Sequence, residues 1–241
     1  MPHLFDLAHL PRFVLFLALA IILVIAPLVS ALLARRGAQS GARAKHARYA
    51  RTLLILWSIT ALALWALRLH NQGPADVGFV PPREPVAAYL AVLAWFLVMT
   101  VAFGATRSRA VDQSYAERIR RVVPLTTSDW FWYVPLALSA GVCEEFLYRG
   151  YALTVLATLS GSLAIGVVVS TAAFGLAHAY QGPRGIAGTT IFGLFFALVF
   201  VTWGSLWPCI IGHALQDLVA GAIAARRLAA APPPSVEPTT T

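Results

Sequence analysis

The sequence predicts an all-α polytopic transmembrane helical bundle of about seven spans, with the N-terminus outside and the C-terminus inside. Three observations carry this expectation. The 241 residues are 59% hydrophobic and only 12% charged, with mean hydropathy +0.74, whereas a water-soluble domain carries about 25% charged residues. Apolar runs long enough to cross a bilayer recur along the chain, divided by short Gly-, Pro- and Arg-rich stretches. The basic residues also sort by loop, as membrane topology requires.

Span one covers about 11–34. Its apolar run is longer than a signal-peptide core, and Asp6 precedes it with little positive charge, so it reads as a retained helix. Pro27 predicts a kink. Residues 35–51 read as a basic loop, 52–69 as span two, 70–85 as a turn-rich loop and 86–104 as span three. The stretch 106–125, TRSRAVDQSYAERIRRVVPL, is basic and helix-compatible and is expected to lie on the membrane surface. Thr126-Thr127-Ser128-Asp129 offers an N-cap for span four, 131–158, in which Pro135 is a second candidate kink. Span five is 162–180, span six 186–202 and span seven 207–225, with Pro208 in its first turn and Trp203 and Trp207 at the interface. The division is an accessory N-terminal region 1–127, a four-helix core 128–226 and a disordered tail 227–241.

With seven spans and the N-terminus outside, fourteen Lys and Arg fall inside, three (Arg12, Arg68, Arg83) outside, and Arg149 within a span. An eighth crossing would need a re-entrant or broken segment. The net charge of +8 is thus explained by topology, and no nucleic-acid partner is expected. Cys143 and Cys209 lie far apart in apolar runs and suggest neither a disulfide framework nor a zinc pair. The absence of an internal repeat weakens an inverted-repeat transporter.

The titratable groups left at membrane depth are Glu144, Glu145, Arg149, His178, His213 and Asp217, all in the last four spans. Each charge at that depth costs about 2.5–3.5 kcal/mol on insertion scales, so a use for them is expected. Glu145 and Arg149 are i,i+4 and can form an ion pair. Glu144 is turned about 100° away on the helix and is free to face something else. Phe174 and His178 share the i,i+4 spacing, as do His213 and Asp217. Two carboxylates and two imidazoles suit water activation, with a desolvated Glu as base. Cys143 reads as packing, and Tyr148 and Tyr151 as packing or substrate contacts. The competing functional classes are a transporter or proton relay, and a non-enzymatic immunity or scaffold protein. One difficulty is geometric: with level helix ends, Glu144, His178 and His213 differ in depth by roughly 10 Å at about 1.5 Å per residue.

Glu144-Glu145-x-x-x-Arg149, Phe174-x-x-x-His178 and His213-x-x-x-Asp217, in that order, resemble the motif set of the CPBP family. That family holds CAAX prenyl endopeptidases of the Ras-converting type and bacterial Abi-type proteins linked to bacteriocin processing. The resemblance covers about 128–226. It implies an intramembrane endopeptidase in which Glu144 activates water with help from His178, and His213 and residue 217 form the oxyanion site. Glu145, Arg149 and Phe174 would support the structure. The best-studied members have Asn where this chain has Asp217. A carboxylate is a poor oxyanion donor, so Asp217 is expected to orient His213 instead. The metalloprotease-like alternative, zinc held by His178, His213 and a carboxylate, lacks a His-Glu-x-x-His helix, and metal independence is expected. The implied partners are a peptide or protein substrate and the lipid bilayer. The Ala- and Arg-rich composition points to a bacterial cytoplasmic membrane, where a prenylated substrate is not expected.

Overall fold

The computed structural model describes residues 12–35, 42–105 and 113–230. Among these residues every regular element is helical. Helix α1 (Arg12–Ala20) runs through a π-helical turn (Ile21–Ile25) into α2 (Ala26–Arg35). Then follow α3 (Ala42–Leu69), α4 (Pro85–Ala105), α5 (Gln113–Arg120) and α6 (Thr127–Glu145). Helix α6 continues through a π-helical stretch (Phe146–Leu153) into α7 (Thr154–Ser160). Helices α8 (Leu163–Ala177), α9 (Pro183–Trp203) and α10 (Trp207–Ala230) complete the chain, with short 3-10 turns at Pro74–Val77 and Ala179–Gln181. Four stretches are long and apolar enough to cross a bilayer: Val14–Leu32, Arg43–Leu69, Pro183–Trp203 and Trp207–Ala229. Pro85–Val101 and Leu163–Ala177 are apolar but shorter. Outward-facing apolar side chains such as Phe131, Val86, Val101 and Leu54 are exposed, which suits a lipid solvent and not water.

The expected basic loop 35–51 is in part a helix. From Ala42 onward it forms the first turns of α3, because Ala, Arg and Lys are strong helix formers and tertiary partners hold their side chains. Lys45 Nζ donates to Val123 O and to Asp129 Oδ2, both at 3.0 Å. His46 Nε2 lies 2.9 Å from Asp129 Oδ1. Tyr49 donates to Val122 O at 2.6 Å, and Arg48 to Arg121 O at 3.0 Å. Asp129 also completes the capping box at the start of α6: Thr126 Oγ1 accepts from its amide at 3.1 Å, while its carboxylate accepts from the Thr126 amide. Burial would push the Asp129 carboxyl up, but hydrogen bonds from the Leu125 amide, Lys45 and His46 outweigh it and hold the group at about 2.

Proline's missing N–H and its ring disturb the preceding turn. At Pro27 the π-helical turn Ile21–Ile25 absorbs the disturbance and the helix continues. Pro135 lies within an uninterrupted α6. Helix α10 extends to Ala230, past the expected end of span seven, and residues 231–241 of the expected tail lie outside the described residues. One buried cluster joins Leu15, Ala18 and Ile22 of the first helix and Ala63 and Leu67 of α3 to Tyr151, Phe196 and Phe200. The accessory region and the core thus share their apolar interior.

The helix ends are not level, and this removes the depth difficulty. The α9–α10 turn is sunk beside the π-helical stretch: a Cβ on Gly150 would sit 3.1 Å from Leu206 Cδ1 and 2.9 Å from Val77 O. The 70–85 loop folds into the recess. Leu206 N donates to Gly78 O at 2.8 Å and Ser205 Oγ to Val80 O at 2.6 Å. Phe79 packs on Phe146 and Trp207. Glu144 lies six residues below Gly150 and His213 seven below Leu206, each about 10 Å at about 1.5 Å per residue. Gly166 of α8 packs against Leu153 and Ala157, so His178, twelve residues on, returns to the same level.

Candidate active site

Glycine sets the closest helix approach at the site. A Cβ on Gly141 would meet Ile210 O at 2.9 Å and the Ala214 Cβ at 3.0 Å, so α6 and α10 touch nearly backbone to backbone. One turn later, Glu144 and Glu145 face His213. Glu145 is fully buried, and its Oε1 accepts from Arg149 Nη1 at 2.9 Å and from His213 Nδ1 at 2.7 Å. Arg149, also buried, donates from Nη2 to Gly193 O at 3.0 Å, and its Cζ stands 4.3 Å from the Phe174 ring centre. The i,i+4 pair expected from the sequence is present, and its carboxylate also grips the His213 ring. A buried Arg requires such partners.

Helix α8 stops at Ala177, and His178 leaves it at φ −99°, ψ 16°, short of the expected end at 180. The ring folds back so that Nδ1 donates to Phe174 O at 2.9 Å. In both histidines, therefore, Nδ1 is occupied and Nε2 faces the site. Each Nε2 lies 3.9 Å from the same atom, Glu144 Oε2. That oxygen is buried and has no hydrogen-bond partner among the described residues. Asp217 Oδ2 stands 3.8 Å from His213 Nε2. The structure thus gathers Glu144, His178, His213 and Asp217 at one point, with Glu145, Arg149 and Phe174 behind them. The orientation of His213 expected from Asp217 is supplied at Nδ1 by Glu145, while Asp217 faces the opposite nitrogen.

Phe174 fills the space between these groups, 4.8 Å from the His178 ring and 5.1 Å from Tyr148. Tyr151 points away and donates to Leu15 O at 3.2 Å. Cys143 and Cys209 are buried free thiols. Among the described residues no group of three or more His, Cys, Asp or Glu side chains is arranged to hold a metal ion. Sequence reasoning missed the contribution of α9, where the Gly193 carbonyl holds Arg149 and Phe192 packs 5.0 Å from His213. That helix carries no titratable group at this depth; a glycine within the bulky run Phe192-Gly193-Leu194-Phe195-Phe196 was the one signal. Tyr133, which donates to Asp217 O at 2.9 Å, and Tyr180, 5.9 Å from the His178 ring, were also missed.

Helices apolar enough for a bilayer, enclosing a half-buried carboxylate flanked by two imidazoles, define a multi-pass membrane protein with ionisable groups in its interior. Over residues 126–219 the chain matches the family model described as Type II CAAX prenyl endopeptidase Rce1-like. Over those residues the chain carries a domain of that family, which is one of peptide hydrolases. The match runs from the N-cap Thr126 to two residues past Asp217 and so contains all the residues gathered at the site. Compared with the curated proteins and with the solved structures, the chain matches none.

Proposed function

We propose that the chain hydrolyses peptide bonds at or within the membrane, with Glu144 as the base that activates water. The observation that carries this reading is Glu144 Oε2, a buried carboxylate oxygen without a hydrogen-bond partner, equidistant from two histidine Nε2 atoms. Separations of 3.9 Å are too long for direct hydrogen bonds and suit a shared water. Glu144 takes a proton from that water as its oxygen bonds to the peptide carbonyl carbon. His178 Nε2 holds the water in line. His213, fixed at Nδ1 by Glu145, offers Nε2–H in its protonated form to the developing oxyanion. When the C–N bond breaks, the proton on Glu144 passes to the leaving amine, and the carboxylate is regenerated. General acid–base help of this kind contributes about 10²- to 10⁴-fold.

The family's description names CAAX prenyl peptides; the same site would accept other hydrophobic peptide termini presented at the bilayer. The basic end of the bundle, where Arg48 meets Arg121 and Arg120 meets Leu228, faces the cytoplasm in this reading. The test offers the purified protein prenylated CAAX-like and small hydrophobic peptides, and compares wild type with Glu144→Ala, Glu144→Gln and His178→Ala. Cleavage by wild type that all three variants lose while remaining folded supports the reading. No cleavage of any peptide, beside an ion flux that Glu144→Ala abolishes, would mark a proton relay instead.

A further inference from the structure

The site as described is short of one hydrogen-bond donor. An oxyanion needs donors on the side away from the base, and Asp217, a carboxylate, has only acceptors when ionised. It nevertheless stands beside His213 Nε2 at 3.8 Å, where an oxyanion would lie. Three tyrosines pack on residues of the site. Tyr133 gives its hydrogen to the Asp217 carbonyl. Tyr148 packs on Phe174, its ring 5.1 Å away. Tyr180 packs with its ring 5.9 Å from that of His178, the imidazole whose Nε2 faces Glu144.

The Tyr180 phenol is also prepared as a donor. Its oxygen accepts from Gln181 Nε2 at 3.1 Å, and its own hydrogen goes to no acceptor among the described residues. An accepted hydrogen bond polarises O–H and strengthens what it donates. The 3-10 turn Ala179–Gln181 that carries it is anchored, because Tyr180 N donates to Ser30 Oγ of α2 at 3.3 Å. A donor locked by its own supporting contacts needs no reorganisation during the reaction.

We propose that the Tyr180 hydroxyl donates the oxyanion hydrogen bond that Asp217 cannot, and is thereby a catalytic residue; this rests on the hydrolase reading above. No proton is transferred to or from Tyr180. The hydrogen bond forms as the carbonyl oxygen gains charge and weakens again when the C–N bond breaks. Position 217 and Tyr180 then share one task, and an amide at 217 would relieve the phenol of it.

The experiment measures kcat and KM for Tyr180→Phe, Asp217→Asn and the double variant, with Glu144→Gln as the inactive reference. It also measures the affinity of each for a peptide phosphinate, which mimics the tetrahedral intermediate, and for an uncleaved peptide. Tyr180→Phe keeps the ring and is expected to lower kcat by about 10²-fold with KM nearly unchanged. It weakens the phosphinate by a similar factor and leaves the uncleaved peptide unaffected. In the Asp217→Asn background the same change costs less than about tenfold, since the amide donates in its place. If Tyr180→Phe keeps wild-type kcat while Glu144→Gln is inactive, the inference fails and the hydrolase reading stands. An equal kcat loss in both backgrounds with unchanged phosphinate affinity marks a structural role and also overturns it. A wild type that cleaves no peptide removes both together.

Discussion

At residue 145 one carboxylate oxygen answers two buried partners, Arg149 and His213, and the other answers none; at residue 144 the buried Oε2 answers none and stands 3.9 Å from two imidazoles. Adjacent glutamates are therefore expected to respond in opposite ways to the same substitution. Glu145→Gln leaves the Arg149 charge uncompensated and is expected to cost about 3–5 kcal/mol, read as a lowered Tm in detergent. Glu144→Gln removes an unsatisfied charge, so its Tm is expected at or above that of wild type. A Glu144→Gln Tm as low as that of Glu145→Gln would contradict this division. The sequence made the Glu145–Arg149 pair legible through its i,i+4 spacing, together with the freedom of Glu144. It did not reveal that Glu145 holds His213, because a bond across 68 residues leaves no local pattern. The His178 ring orientation was equally hidden, since it follows from where α8 stops.

Between elements, two glycines hold the site to its working dimensions. Gly141 sets the α6–α10 approach, and Gly193 leaves room for Arg149 and Phe174: a Cβ there would lie 2.8 Å from Phe174 Cδ1 and 3.1 Å from Arg149 Nη2. Gly193→Ala is expected to destabilise by about 1–3 kcal/mol through overpacking, measured by thermal unfolding. Gly141→Leu pushes Glu144 away from His213, and a displacement of about 1 Å can cost about 10²-fold in rate. Peptide cleavage at full rate by Gly141→Leu would show that this crossing does not set the site. The helices themselves were legible from apolar runs and turn residues, and the N-cap of α6 from the run Thr126–Asp129; the reciprocal bond from Asp129 that makes it a capping box was not. The N-terminal extension of α3 was not, because its basic residues read as a topological signal, while their actual partners lie in residues 121–129.

For the whole molecule, the cluster of Lys45, His46 and Asp129 joins the accessory region to the start of the core helix. The Asp129 carboxyl is held at about 2, below the ordinary value of about 3.9. Its stabilising contribution is therefore complete above the ordinary value and is lost as pH falls through that window toward 2. Thermal unfolding between pH 5 and pH 2 is expected to show an acid-dependent loss that Asp129→Asn diminishes; an unchanged profile in the variant would contradict the assignment. A second expectation concerns cofactors. Cleavage is expected to resist chelators in protein with no bound metal, and stoichiometric zinc or cobalt that restored lost activity would count against the glutamate mechanism. The convergence of Glu144, His178 and His213 was the part of the architecture least legible beforehand. Counting residues from each span's end assumed level ends, whereas the α9–α10 turn is sunk beside Gly150 and the 70–85 loop fills the space above it.

The most direct test of the central claim is the single-turnover cleavage rate of Glu144→Gln on a peptide that wild type cleaves, at matched fold and Tm. A loss of about 10³-fold or more is expected, since the amide cannot take the proton from water. A rate within about tenfold of wild type would leave Glu144 outside the chemistry, because removing a catalytic base costs at least about 10²-fold.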